Sequence, residues 1–164
     1  MSWSSWETRR RHAVTWGRHA FGTTPSRDAR RLACAWLAAH DCDGEVIACA
    51  GLVVAELAAN SAEHGGRLDA LCLDVFPSEP RAPGSLIVGV YDLGRDHPFH
   101  AGRCRLPGEG LRERGRGLGI VAALSLECGA ARLHDGHQHV WCRLAVPPRK
   151  AAGPADGPGV HGGG

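Results

Sequence analysis

The chain has 164 residues, which is enough for one domain of ordinary size with short tails. Hydrophobic residues make up 43% of the sequence and aromatic residues only 5%, so the core must consist mainly of Leu, Val and Ala. The formal net charge of +2 is small, and a dedicated nucleic-acid surface is therefore not demanded. The N-terminus lacks an apolar signal segment, and we expect that no later run approaches a membrane span. We therefore expect a cytoplasmic protein without a membrane partner.

Two predicted elements occupy the first quarter of the chain. "AVTWGRHAF" is a short extended candidate, and "TPSRDARRLACAWLAAH" has the pattern of an amphipathic helix. Thr24 or Ser26 can cap this helix, with Pro25 in its first turn. Its apolar stripe consists of Ala29, Leu32, Ala33, Trp36 and Leu37.

A second helix is predicted from about residue 45 to residue 64, where Gly65 and Gly66 end it.

The remainder of the chain predicts a hairpin, a loop, a helix and a second hairpin. "RLDALCLDVF" and "GSLIVGVYD" have strand patterns, and residues 93–114 form a long loop without periodicity. "GRGLGIVAALSLECG" predicts a helix that ends at Gly129, and "ARLHDG" and "HVWCRLAVP" close the domain as strands. We predict a flexible N-terminus over residues 1–12, a domain over 13–146 and a disordered tail over 147–164. This order predicts an α+β two-layer sandwich, with a mixed, mostly antiparallel sheet and helices on one face.

The seven cysteines give no sign of a structural metal site or a complete set of disulfides. Their number is odd, and no two of them have C-x-x-C spacing. We therefore expect most of them to be small buried hydrophobic side chains.

The second helix carries polar residues beside its apolar stripe. At 100° per residue, Glu56, Asn60 and His64 form a row next to the stripe that includes Leu57 and Ser61. Polar groups at this boundary either satisfy buried backbone or face a ligand. In the first case Glu56 pairs with an arginine and Asn60 bonds a loop; in the second, both contact the ligand.

Two further stretches have residues suited to a nucleotide. Asp92 ends an apolar strand and is followed by Gly94, so its carboxylate can accept a hydrogen bond from an exocyclic amine. Gly115, Gly117 and Gly119 precede or open a helix, and glycine amides at a helix N-terminus favour phosphates. Each pattern alone is weak, because Asp-x-Gly is also a common turn and glycines also mark loop ends.

Together and in this order, the three stretches resemble the Bergerat-type, or histidine-kinase-like, ATP-binding domains of gyrase, histidine kinases and the anti-sigma-factor serine kinases. "ELAANSAEHGG" resembles the N box, "VYDLG" the first glycine box and "GRGLGIVAALS" the second. The resemblance covers roughly residues 13–146 and is closest to the small stand-alone ATP-binding regulators of actinomycetes.

The resemblance implies a role for each matching residue, with ATP and Mg²⁺ as cofactors. Asn60 would offer its amide oxygen to Mg²⁺, and Glu56 would be the catalytic general base near the γ-phosphate. His64 would be a phosphate-side contact. Asp92 would bind the adenine amine, and Gly94 would leave room for the ring.

The second glycine box would bind the phosphates. The resemblance assigns this role to Gly115, Gly117, Leu118 and Gly119, with residues 95–114 as a lid over them. Two positions depart from the family pattern. Asp96 stands where a second glycine is usual, and His139 stands where a threonine would bond the adenine-binding aspartate.

The resemblance implies an anti-sigma-factor-like serine/threonine protein kinase that acts by partner switching in transcription control. Sensor histidine kinases usually have an asparagine in place of Glu56, so the resemblance at this position favours the serine kinases. The implied protein partners are a sigma factor or an anti-sigma-factor antagonist, and the implied assembly is a homodimer. One alternative is a catalytically silent nucleotide-binding module of the same fold. Another is a nucleic-acid-binding or metal-binding regulator, the latter using His134, His137 and His139.

Overall fold

The computed structural model describes residues 12–76, 83–94, 102–103 and 116–147. In chain order its elements are β1 (His12–Gly17), a 3-10 turn (Arg18–Ala20), α1 (Pro25–Ala39), α2 (Gly44–Glu63), β2 (Leu68–Phe76), β3 (Gly84–Asp92), β4 (Gly102–Arg103), α3 (Arg116–Leu124), β5 (Glu127–Arg132) and β6 (Gln138–Val146).

The strands form one sheet in the order β1-β2-β3-β6-β5-β4, and every described strand pair is antiparallel. Helix α2 packs on β2, β3 and β6, while α1 and α3 pack on α2. The helices thus form one layer and the sheet another, and the predicted α+β sandwich is confirmed.

The core lies between these two layers and consists largely of leucine, valine and alanine, as the composition predicts. Leu57 and Val54 of α2 face the inward side chains of β2, β3 and β6. Fully buried residues on that face of the sheet include Leu71, Leu73, Leu86, Val88, Val90, Val140 and Leu144.

Helix α1 begins at Pro25, whose missing N–H is unimportant because the first helical N–H has no intrahelical partner. Thr24 occupies the N-cap position but makes no side-chain capping bond, so the predicted cap is correct in position only. The first turn is instead tied to the preceding loop, because the amide of Gly22 donates to Asp28 Oδ2 at 2.8 Å.

Helix α2 is the central helix of the sandwich. Asp43 caps it by accepting a hydrogen bond from the amide of Glu45 at 2.9 Å. With 20 residues and a mean hydropathy of 1.5, α2 is long and apolar enough for a membrane span. The expectation that no run approaches such a span was therefore wrong. The burial of α2 against two helices and the sheet favours its role as a core helix.

Two predicted boundaries also differ from the structure. Helix α3 ends at Leu124 rather than at Gly129, because Cys128 and Gly129 pair with β6 and extend β5 toward the helix. The Ser125 hydroxyl donates to the carbonyl of Val121 at 2.6 Å and closes the last turn. The segment predicted as a loop over residues 93–114 contains β4, which pairs with β5.

The burial of the cysteines in the described segments only partly follows the expectation. Cys128 and Cys142 are buried, whereas Cys34, Cys42, Cys49 and Cys72 are half-buried.

Candidate functional site

Asp92, at the end of β3, is a fully buried carboxylate that faces α2. The Ser61 hydroxyl of α2 donates to its Oδ2 at 3.0 Å, and the amide of Gly94 donates to its Oδ1 at 2.7 Å. A buried carboxylate requires such donors, because removing it from water without partners is costly. The two bonds fix the carboxylate between the end of α2 and the turn that follows β3.

Glycines surround this carboxylate where a side chain would not fit. A Cβ on Gly65 would overlap the carboxylate of Asp92, so the chain leaving α2 passes directly against it. Gly94 has a φ of +67°, and its Cβ would lie 2.9 Å from the carbonyl oxygen of Gly136. Arg132 Nη2 donates to the carbonyl of Gly94 at 2.7 Å. The turn after Asp92 is therefore held against the β5–β6 hairpin.

Glu56 lies farther back along α2 and contacts the start of α3. A Cβ on Gly117 would overlap Glu56 Oε2, so the α3 backbone passes directly against this carboxylate, and a larger residue at 117 would require the Glu56 side chain to shift. Glu56 is half-buried, and the helical period places it on the same side of α2 as Asn60. Glu56 thus lies beside the first turn of α3, and Asn60 follows it one turn later along α2.

Asn60 has a buried side-chain nitrogen with no hydrogen-bond partner among the residues that the structure describes. Its backbone oxygen accepts from the amides of His64 and Gly65 at 2.8 and 3.3 Å, so the main chain at this helix end is satisfied while the side-chain amide is not. A buried N–H donor without a partner is uncommon, and a water or a phosphate oxygen would satisfy it as an acceptor. Its amide oxygen is a suitable Mg²⁺ ligand, and the neighbouring carboxylate of Asp92 suits an amine. These residues therefore fit a nucleotide with Mg²⁺.

The other predicted site residues are placed less closely together. His64 caps the C-terminus of α2, and its Nε2 lies 3.9 Å from Glu63 Oε2. Leu118 is half-buried against the core, and a Cβ on Gly119 would meet no atom within 4 Å. Gly115 and Asp96 lie outside the described residues. The roles assigned to all of these residues stay predictions.

His139 does not lie beside Asp92, which corrects one expectation from the sequence. Successive residues of a strand face opposite sides of the sheet, and Asp92 faces the helices while Tyr91 faces outward. His139 pairs with Tyr91, and the two rings stack with centroids 4.4 Å apart. Burial lowers the pKa of His139 from its usual 6.5. Gln138, which is buried and in register with Asp92, occupies the position next to that carboxylate.

The other two histidines of the β5–β6 turn do not form a metal site with His139. His137 Nε2 lies 3.1 Å from Asp69 Oδ2, and Arg67 Nε donates to the other oxygen of Asp69 at 2.7 Å. His134 is exposed. In the described parts of the chain, no three His, Cys, Asp or Glu side chains are grouped to hold a metal ion.

Three contacts of the site were not predicted, those of Ser61, Arg132 and Gln138. Ser61 had a detectable signal, because it is a polar residue within the apolar stripe of α2. Arg132 and Gln138 had none, because their positions depend on the pairing of β6 with β3 and β5.

Comparison with known proteins assigns this arrangement to a family. No curated protein matches the chain. Residues 23–144 match the family model of the histidine kinase-like ATPase domain, and this range contains α2, β3 and α3. The match supports ATP binding by this chain, since domains of this type bind ATP, generally with Mg²⁺. The chain belongs to the histidine kinase-like ATPase domain family.

Proposed function

We propose that the protein is an ATP-dependent serine/threonine protein kinase that regulates transcription by partner switching, as an anti-sigma-factor kinase does. The observation that carries this proposal is the position of Glu56. Its carboxylate lies one helical turn before Asn60 and against the backbone of Gly117 at the start of α3. A carboxylate beside a helix N-terminus is suited to accept a proton where a phosphoryl group is held.

The nucleotide is bound at two ends of the site by different residues. At one end, Asp92 accepts the adenine amine, and the turn at Gly94 admits the ring. At the other, the Asn60 amide oxygen binds Mg²⁺, and the first amides of α3 bind phosphate oxygens. Mg²⁺, when bound, neutralises charge on the phosphate oxygens.

Glu56 removes the proton in the transfer step. The hydroxyl of a serine or threonine on the partner attacks the γ-phosphorus, and its proton passes to the Glu56 carboxylate. The bond from the γ-phosphorus to the bridging oxygen breaks, and its electrons leave with ADP. The protein partner is a sigma factor or an anti-sigma-factor antagonist, and the active form is a cytoplasmic homodimer.

A second candidate function is a catalytically silent module in which nucleotide only changes a protein-binding surface. One observation favours it. Asp92 is fully buried, and both of its oxygens already accept hydrogen bonds, from Ser61 and Gly94. Adenine must therefore add to a carboxylate that is already bonded to the protein.

Calorimetric titration of ATP and ADP, with and without Mg²⁺, tests the binding site. We expect Mg²⁺-dependent ATP binding that Asn60→Ala weakens at least tenfold, a loss of about 1.4 kcal/mol. Glu63→Ala is the control, because Glu63 is an exposed residue near the end of the same helix. Equal binding by wild type and Asn60→Ala would contradict the proposed Mg²⁺ ligand.

Transfer of radiolabelled γ-phosphate to candidate partners separates the two functions. Under the kinase proposal, Glu56→Gln lowers the rate by 100-fold or more, within the range of general-base catalysis of about 10²–10⁴, and leaves ATP binding unchanged. Glu63→Gln makes the same chemical change on an exposed residue and should keep the full rate. ATP binding without transfer to any partner would favour the silent module.

A further inference from the structure

An open cleft of about 550 Å³ lies beside the 3-10 turn and the chain leaving α2. This volume is within the range of about 300–1,000 Å³ that is usual for ligand sites. None of Glu56, Asn60 and Asp92 lines the cleft, so it is separate from the nucleotide site.

The lining of the cleft combines cationic groups with apolar side chains. Its cationic or titratable residues are Arg18, His19 and Arg67, and its apolar residues include Phe21, Pro25 and Leu68. Among the described residues that line it, none is acidic. The cleft is therefore suited to a ligand that has both negative charge and apolar surface.

Two carboxylates contact lining residues of the cleft, and both already accept hydrogen bonds from the protein. Asp28 accepts from the amide of Gly22 at 2.8 Å, and Asp69 lies 2.7 Å from Arg67 and 3.1 Å from His137. In the described segments, Arg18 and His19 are exposed, and no carboxylate lies within ion-pair distance of either. Arg18 thus remains as a positive charge that the described protein does not neutralise.

We propose that this cleft binds an acidic peptide segment of a protein partner, with one apolar side chain of that segment against Phe21 and Leu68. A peptide fits better than a nucleic acid, because the cationic residues of the cleft are few and are accompanied by apolar side chains. The proposal concerns a surface outside the nucleotide site and does not depend on phosphoryl transfer.

Fluorescence anisotropy with the nucleotide-free, full-length protein tests the proposal. The probe is a fluorescein-labelled Asp-Glu-Leu-Asp-Glu peptide, and the neutral control is Asn-Gln-Leu-Asn-Gln. We expect a dissociation constant on the order of 100 µM for the acidic peptide and at least tenfold weaker binding of the neutral one. Because the contact is electrostatic and exposed, raising salt from 50 to 500 mM should weaken binding further.

Two arginine variants locate the binding site. Arg18→Ala should weaken binding of the acidic peptide at least fivefold. Arg27→Ala should not change it, because Arg27 is exposed on α1 but does not line the cleft. Thermal unfolding of both variants checks that they remain folded.

Three results would overturn the proposal. The first is the absence of binding at millimolar acidic peptide, and the second is equal weakening by Arg18→Ala and Arg27→Ala. The third is displacement of the peptide by a single-stranded oligonucleotide that binds more tightly and depends on Arg18, which would identify a nucleic-acid surface instead.

Discussion

The two faces of the β3–β6 strand pair differ in the contacts that their side chains make, although the residues concerned are neighbours in the sequence. On the face toward the helices, Asp92 is buried and bonded to Ser61 and Gly94, and Gln138 lies in register with it. On the opposite face, Tyr91 and His139 stack at 4.4 Å and remain half-buried.

The comparison shows where this domain can tolerate change. The Asp92 carboxylate contacts two segments, the end of α2 and the turn after β3. A substitution that displaces this carboxylate must therefore disturb both segments. On the outward face, the contacts that the structure describes for His139 are with sheet residues, since its ring lies over Gly89 and against Tyr91. We therefore expect substitutions on the inward face to lower the free energy of unfolding more than substitutions on the outward face.

Gly65→Ala should give the largest effect of the variants that test this difference. The added Cβ would overlap the buried Asp92 carboxylate, and we expect a loss of about 3 kcal/mol of unfolding free energy together with weaker ATP binding. Urea unfolding measures the first effect and calorimetry the second. The control is Gly44→Ala, because a Cβ on Gly44 meets no atom within 4 Å. Equal stability of the two variants would contradict the expectation that the inward face tolerates less change.

Ser61→Ala should have an intermediate effect on the same face. It removes one of the donors to Asp92 and leaves the Gly94 amide in place, so we expect a loss of about 1.5 kcal/mol in urea unfolding. Ser125→Ala is the control, since this residue directly follows α3 and its hydroxyl donates to the carbonyl of Val121 in the last turn of that helix. A smaller loss for Ser61→Ala than for Ser125→Ala would mean that the buried bond contributes little.

Gly89→Ala tests the outward face and should change stability by less than about 1 kcal/mol. Its Cβ would lie 2.6 Å from His139 Nε2, but that ring can rotate away at a cost of about 1 kcal/mol. In a His139→Ala background the same substitution should become stabilising by about 0.5 kcal/mol, because alanine is favoured over glycine inside a strand. Chemical denaturation of wild type, Gly89→Ala, His139→Ala and the double variant measures whether the effect of Gly89→Ala on stability changes sign. Its absence would show that the ring does not limit this position.

The pH dependence contributed by His139 should be the smallest effect. Burial lowers its folded pKa below 6.5, so the unfolded chain takes up a proton first as pH falls. The stability that depends on neutral His139 is complete above pH 6.5 and declines as pH falls from 6.5 through the folded pKa. His139→Phe keeps a ring on Tyr91 and cannot titrate. Wild type should therefore lose more stability than this variant between pH 7.5 and pH 5.5, as measured by urea unfolding.

The sequence predicted the fold well because its signals were local. Helix α2 has a strong apolar period and glycines at its end, and β2 and β3 have clear strand patterns separated by prolines. The boundary of α3 was missed because Cys128 and Gly129 become strand residues only through pairing with β6. Two-residue β4 has no local signal at all.

The residue types of the candidate site could be predicted from the sequence, but their contacts could not. Glu56, Asn60 and Asp92 could be named from spacing and resemblance alone. Which residue lies beside Asp92 depends on strand register, and a shift of one residue exchanges Gln138 for His139. The roles of the predicted residues in binding and transfer stay predictions that the calorimetric and transfer experiments address.

The chain that leaves α2 has a consequence for regulation. Ser61 and Gly65 contact Asp92, whereas Ala62 and Gly66, their immediate neighbours, line the cleft of about 550 Å³. The two sites thus share one short stretch of backbone as a common wall. By thermodynamic linkage, any factor by which ATP changes the affinity for an acidic peptide must equal the factor by which the peptide changes the affinity for ATP.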